Sequence, residues 1–145
     1  MRVYLASSFD LAKYVSDICR SLESHGHIIT VHWWVKDFEK AIQKDSDDAW
    51  YRDKQVQEIS KRNFVGIETA DVFLLVAHPT EKRKFNGANI ELGYALALKK
   101  TCFALGKLER SAMYVPVQRL VWSDFAFRFF GKKDEGLSFP PNGGT

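Results

Sequence analysis

The chain has 145 residues, 46% of them hydrophobic and 14% aromatic, with a formal net charge of +3. That is one domain's length with enough apolar material for a packed core, and no apolar run nears the roughly 20 residues that span a bilayer. The mild positive charge is spread over short groups (Lys82, Arg83, Lys84, Lys99, Lys100, Lys132, Lys133), which suits an anionic small molecule and lacks the long basic stripe of a nucleic-acid binder.

Residues 2–6 alternate into a buried first strand, and polar residues follow at once, so the start reads as structure and not as a signal peptide. A cytoplasmic setting is expected. A turn at Ser7, Ser8, Phe9 and Asp10 leads into a helix in which Leu11, Val15, Ile18 and Leu22 recur at helical spacing, with Gly26 as its stop. Residues 27–33 are β-branched and strand-like. Residues 36–48 are polar without strong periodicity and read as a loop or helical cover.

A helix is expected over about 49–68, with Val56, Ile59, Asn63 and Ile67 on its inner face. A strand over 72–77 follows, then a polar loop, a helix over 87–99 and a strand over 101–105 closed by Gly106. Residues 114–121 suggest a last strand and 122–130 a short aromatic helix. Residues 131–145, ending in Pro-Pro-Asn-Gly-Gly-Thr, read as a loose tail after a domain over 1–130. Strands alternating with helices imply a parallel sheet covered on both sides, a single-domain doubly wound α/β fold.

The stretch at 87–95, GANIELGYA, carries the most chemistry. Gly87, Ile90, Glu91, Tyr94, Ala95 and Leu98 share one helical face by spacing, and that face is otherwise apolar or small. Glu91 is therefore expected in the first turn of a helix, on its inward side, beside the carboxyl end of a strand, where open α/β sheets bind ligands. Helix N-terminal amides favour its anion and desolvation opposes it. A part-dehydrated carboxylate held ionised is suited to nucleophilic attack, although first-turn glutamates also serve as simple helix caps.

Other motifs narrow the chemistry. The turn at 6–10 ends a parallel strand and enters a helix, so its hydroxyls and amides can hold a phosphate or sugar oxygen; Ser8 and Asp10 serve equally well as N-caps. It lacks the glycines of dinucleotide or nucleoside-triphosphate loops. Trp33 and Trp34 are placed either to stack on a planar base or to fill the core. His25, His27, His32 and His78 form no metal-binding pattern, and Cys19 and Cys102 lie in apolar patterns as buried reduced thiols. No metal or organic cofactor is expected.

The opening Val3-Tyr-Leu-Ala-Ser-Ser8, the Ala70-Asp-Val72 that starts the third strand, and the Gly87…Glu91-Leu-Gly-Tyr-Ala95 segment together resemble the nucleoside 2-deoxyribosyltransferase family, which includes the 2'-deoxynucleoside 5'-monophosphate N-glycosidases. The resemblance spans roughly residues 2–122. It implies a flavodoxin-like sheet of about five strands and a glutamate, here Glu91, that attacks C1' of a (deoxy)ribose and releases the base. Water or a second base then takes the sugar. It further implies that Tyr4 orients that glutamate; beside it we expect Asn63, on the inner face of its helix, to position substrate, Trp34 to contact it, and Ser7, Ser8, Phe9, Asn86, Gly87 and Asn89 to line the pocket.

Ser111-Ala112-Met113 resembles the Ser-Ala-Met of the monophosphate-cleaving branch, in which the serine reaches a neighbouring subunit's 5'-phosphate; a homodimer follows by that likeness. The expected partner is a nucleoside or nucleotide, with no nucleic-acid polymer and no membrane. Three positions depart from the family. Asn63 stands where an aspartate is usual, Phe85 where an aspartate or serine is usual, and Asp10 where the hydrolase branch has an arginine. An amide at 63 hydrogen-bonds but cannot donate an acidic proton, so a binding protein of weak or no turnover is the alternative reading.

Overall fold

The computed structural model describes residues 1–35 and 42–131. The expectations for 36–41 and for the tail from 132 onward lie outside the described residues. Five parallel strands form one sheet: β1 (Arg2–Ala6), β2 (Ile28–Ile29), β3 (Val72–Val76), β4 (Thr101–Leu105) and β5 (Gln118–Leu120), in the order β2-β1-β3-β4-β5. This is the strand order of flavodoxin-like sheets, in which the chain switches direction between β1 and β3. β3 is buried at every position, as a strand covered on both faces must be.

The helices among the described residues are α1 (Ala12–Ser24), α2 (Asp47–Arg52), α3 (Lys54–Thr69), α4 (Asn86–Ala97) and α5 (Trp122–Phe130). α3 and α4 pack on each other and on β1. They lie on the face to which Tyr4 and Phe73 point, residues paired in register across β1 and β3 with rings stacked 5.7 Å apart. α5 covers the other face through Phe129, edge-on to Phe103, and meets the end of α1 where His25 stacks on Phe130 at 4.3 Å. Leu11, Val15, Ile18 and Leu22 are all buried, as their spacing predicts, and Gly26 ends that segment at φ +84°.

Several boundaries differ from the sequence reading, each for a local reason. The strand expected over 27–33 pairs only at Ile28 and Ile29. Beyond Thr30 the chain leaves the ladder, and the Trp33 indole instead donates to the Leu5 carbonyl at 2.7 Å within a 3-10 turn over Trp33–Val35. The single helix expected over 49–68 is two helices broken at Asp53, whose extended ψ of 131° ends α2 and whose carboxylate caps α3 by accepting from the Gln55 and Val56 amides. The last strand is shortened to Gln118–Leu120, with Tyr114 in a 3-10 turn over Ala112–Tyr114 and Pro116 unable to join a ladder. α5 begins and ends where its pattern predicts, capped by Gly131 at φ +69°.

The face of α4 is also corrected. Its buried residues are Ala88, Leu92 and Ala95, while Ile90 and Leu98 are exposed and Gly87 faces out. Apolar residues surround this helix on several sides, so spacing alone did not single out the inner stripe. Because α4 starts at Asn86, Glu91 lies in its second turn. The amides without helical partners belong to the turn before it.

Candidate active site

A cavity of about 490 Å³ opens at the carboxyl ends of β1 and β3, where the strand order reverses. β1 and the turn after it contribute Tyr4, Ser7, Ser8 and Phe9 to its wall. α3 contributes Ile59, Ser60, Arg62, Asn63 and Phe64; the approach to α4 contributes Lys84 and Phe85, and α4 itself Asn86, Gly87, Ala88, Ile90 and Glu91. Trp33 completes the lining. The wall thus combines an aromatic surface (Phe9, Trp33, Phe64, Phe85) with one carboxylate and two cations.

Glu91 is half-buried, and its Oε2 accepts a hydrogen bond from the Tyr4 hydroxyl. Tyr4 is fully buried in the central strand, so its phenol is a rigid donor delivered through the sheet. Gly66 makes that placement work. A Cβ there would meet Val31 Cγ2 at 2.4 Å and Tyr4 Cδ2 at 3.2 Å, so only glycine lets α3 sit this close to the tyrosine. A buried O–H donor to one carboxylate oxygen fixes the direction in which the other oxygen can point.

The remaining lining is held from both sides. The Ser7 hydroxyl donates to the Val76 carbonyl at 2.7 Å, tying the ends of β1 and β3 together below the cavity. Ser8 makes no bond to a helix amide; its hydroxyl donates to Asp10, which also pairs with Arg83. Asp10 is thereby held below its ordinary carboxylate pKa, chiefly by the Ser8 hydroxyl and secondarily by the guanidinium. His78 is buried, and its Nδ1 accepts from the Thr80 and Glu81 amides at 3.1 and 2.9 Å, which shapes the loop that delivers Lys84 and Phe85.

Asn63 is half-buried on α3, and its amide oxygen accepts from Arg62 Nε and Nη2 at 3.2 and 3.1 Å. With the oxygen so engaged, the side chain offers the cavity its NH2 donor. The described lining holds a single carboxylate and no histidine or cysteine, which is not the donor set of a zinc-class ion.

Of the residues singled out from sequence, Tyr4, Ser7, Ser8, Phe9, Asn63, Asn86, Gly87 and Glu91 come together here. Trp34, Asn89 and Ser111 do not line the cavity. Trp34 is edge-packed on Trp33 and His32, and it is Trp33 that reaches the wall. Asn89 Oδ1 accepts from the Tyr114 hydroxyl at 2.8 Å. Ser111 is exposed and caps the 3-10 turn through the Met113 amide. Sequence reasoning missed Arg62, Ser60 and Phe64, although Ile59 and Asn63 had already marked the face of α3 beside them.

A sequence profile described as nucleoside 2-deoxyribosyltransferase matches residues 3–137. No curated protein matches the chain. Among solved structures, the chain is similar to a CMP N-glycosidase of Clostridium botulinum, BcmB, with a TM-score of 0.55 and 18% identity over 88% of this chain and 97% of that one. It is also similar to a 2-deoxyribosyltransferase from Bacillus psychrosaccharolyticus, with a TM-score of 0.62 and 18% identity over 96% of this chain and 93% of that one. At such identity these two likenesses speak for the fold.

Proposed function

Since this chain belongs to the nucleoside 2-deoxyribosyltransferase family and is an enzyme of the N-glycosidic bond, we propose that Glu91 is its nucleophile toward C1' of a (deoxy)nucleoside or its 5'-monophosphate. The observation that carries this reading is the Tyr4–Glu91 hydrogen bond in the cavity wall. Glu91 attacks C1' as the C1'–N bond breaks, and that bond's electron pair leaves with the base. The carboxylate both stabilises the oxocarbenium-like centre and captures it as a glycosyl ester. Water or a second base then attacks C1' and returns Glu91 to its ionised form.

The other residues have supporting roles in this reading. Tyr4 aims the carboxylate. The Asn63 NH2, set by Arg62, donates to the departing base without transferring a proton. Phe9, Phe85 and Trp33 offer stacking surface for the base, and Ser7, Ser8, Asn86 and Gly87 surround the sugar. Lys84 and Arg62 draw an anionic substrate to the mouth.

Ser111 is exposed beyond the cavity of its own chain, so its contribution to a 5'-phosphate requires a second copy, and a homodimer belongs to the same reading. Sedimentation velocity checks it. Among the described residues no helix is long and apolar enough to cross a membrane. A cytoplasmic setting is part of the proposal and is checked by cell fractionation.

A second reading, nucleotide binding with little turnover, is favoured by Asn63, since its amide cannot protonate a leaving base. One experiment separates the two. The protein is incubated with deoxynucleosides and their monophosphates, with and without an acceptor base, and released base is followed by chromatography. Release that disappears in Glu91→Ala supports the enzyme, whereas tight binding without release, unchanged in Glu91→Gln, supports the binder. Transfer to the acceptor identifies a transferase and its absence a hydrolase.

A further inference from the structure

Across the sheet from the cavity, three metal-ligating side chains converge that the proposed reaction does not use. Cys19 and Glu23 stand one turn apart on the same side of α1, and His32 arrives from the segment after β2. The Cys19 thiol donates to Glu23 Oε1 at 2.9 Å, and His32 Nε2 lies 3.3 Å from Glu23 Oε2. All three ligand atoms fall within 4.8 Å of one another. Cys19 is 3% exposed, whereas the His32 and Glu23 side chains are 43% and 45% exposed, so the cluster is closed at its floor and open to entry from solvent.

The spacing can be tested against ion geometry. Zinc bonds lie at about 2.3 Å to sulfur, 2.0–2.1 Å to imidazole nitrogen and 2.0–2.2 Å to carboxylate oxygen. At a tetrahedral angle these lengths put neighbouring ligand atoms roughly 3.3–3.6 Å apart. The His32–Glu23 Oε2 separation already matches, whereas the Cys19 thiol lies 2.9 Å from the other oxygen, Oε1, so the thiol must move out by about 0.7 Å or the carboxylate must turn to present one oxygen to the ion. Sulfur, nitrogen and one carboxylate make a borderline-soft donor set, which favours zinc-class ions over magnesium or calcium.

We propose that Cys19, Glu23 and His32 form a binding site for one zinc-class divalent cation, with water in the fourth position. On binding, a metal–sulfur bond replaces the S–H bond and the thiol proton passes to solvent. Thiolate and carboxylate then neutralise the ion's two charges. The ion pins His32 to α1 and so stiffens the neighbouring Trp33, which forms part of the cavity wall. Neither the cysteine nor the histidine belongs to a recognisable ligand motif. The site is produced by the fold, and it stands independently of the assignment of Glu91.

The test uses the reduced full-length protein, stripped with a chelator and titrated with Co(II), then with Zn(II). The expected result is one equivalent bound, a near-ultraviolet sulfur-to-cobalt absorption that Zn(II) displaces, and a thermal midpoint that rises with Zn(II). Cys19→Ser removes the absorption. His32→Gln, at an exposed position that does not threaten the core, weakens binding by at least the roughly 10–100-fold that loss of an outer-sphere partner costs. Absence of the cobalt–sulfur band, its persistence in Cys19→Ser, or unchanged affinity in both His32→Gln and Glu23→Gln overturns the proposal.

Discussion

The Tyr4 hydroxyl on the central strand donates to the Glu91 carboxylate on α4, joining residues 87 positions apart in sequence. The tyrosine is immobile because its ring stacks on Phe73 and lies under Gly66. The glutamate is presented by a helix whose inner stripe, Ala88, Leu92 and Ala95, grips the sheet. Preorganisation of the site therefore comes from packing, with one hydrogen bond as its endpoint.

Tyr4→Phe keeps the ring and its stacking but removes the donor. Base release is expected to fall by about 10²-fold in kcat with substrate affinity little changed, the scale of losing one preorganised donor. Glu91→Ala abolishes release altogether. Steady-state kinetics with a deoxynucleotide panel checks both; a Tyr4→Phe enzyme as fast as the parent would remove the tyrosine from the mechanism.

Asn63→Asp places an ionisable group where the amide now stands. If the base departs without acid help, this variant gains up to the roughly 10²–10⁴-fold that a positioned proton donor supplies. That gain exists only while the new carboxyl is protonated, so it is lost as pH rises through its pKa. A pH–rate profile of parent and variant shows the new alkaline limb or rules it out.

Gly66 and Gly93 are both helical glycines but should respond oppositely to alanine. At Gly66 the new methyl collides with Val31, an overpacking cost of about 1–3 kcal/mol that outweighs the helix-propensity gain of up to about 1 kcal/mol. At Gly93 nothing lies within 4 Å, so Gly93→Ala should stabilise by about 0.5–1 kcal/mol. Denaturant midpoints check the signs. Gly66→Ala should also slow base release by moving Tyr4.

Asp10 carries the pH signature of the turn after β1. Its carboxyl is depressed below its ordinary value of 3.8, first by the Ser8 hydroxyl and then by Arg83. Stability from a group ionised more readily in the fold is complete above the unfolded value and is lost as pH falls through the folded one. Carboxyl-carbon NMR should find the Asp10 inflection below 3.8. Ser8→Ala should raise it, and so should Arg83→Met, since both partners favour the ionised form; an inflection unmoved by Ser8→Ala would remove the hydroxyl from this account.

Periodicity located α1 and α5 because their apolar residues lie on one side, and a continuous apolar run located β3 because a central parallel strand is buried on both faces. The GANIELGYA segment and the opening tyrosine singled out Glu91 and Tyr4, which the fold brings together in the cavity wall. The inner stripe of α4 was not legible, because Ile90 and Leu98 are as apolar as the residues it buries. Nor was the end of β2, where the Trp33 indole takes the Leu5 carbonyl by a contact between distant positions.

The alternation of strands and helices and the family could be read from the chain alone, since these reside in local pattern and composition. Tertiary packing decided that α4 turns Ala88, Leu92 and Ala95 to the sheet, and not Ile90 and Leu98. It likewise decided that Trp33 and not Trp34 reaches the cavity, that Arg62 occupies the Asn63 oxygen, and that Cys19, Glu23 and His32 meet. The physical reason is common to all four. Each depends on how closely two elements approach and at what rotation, and those are set by side-chain packing summed over the whole core.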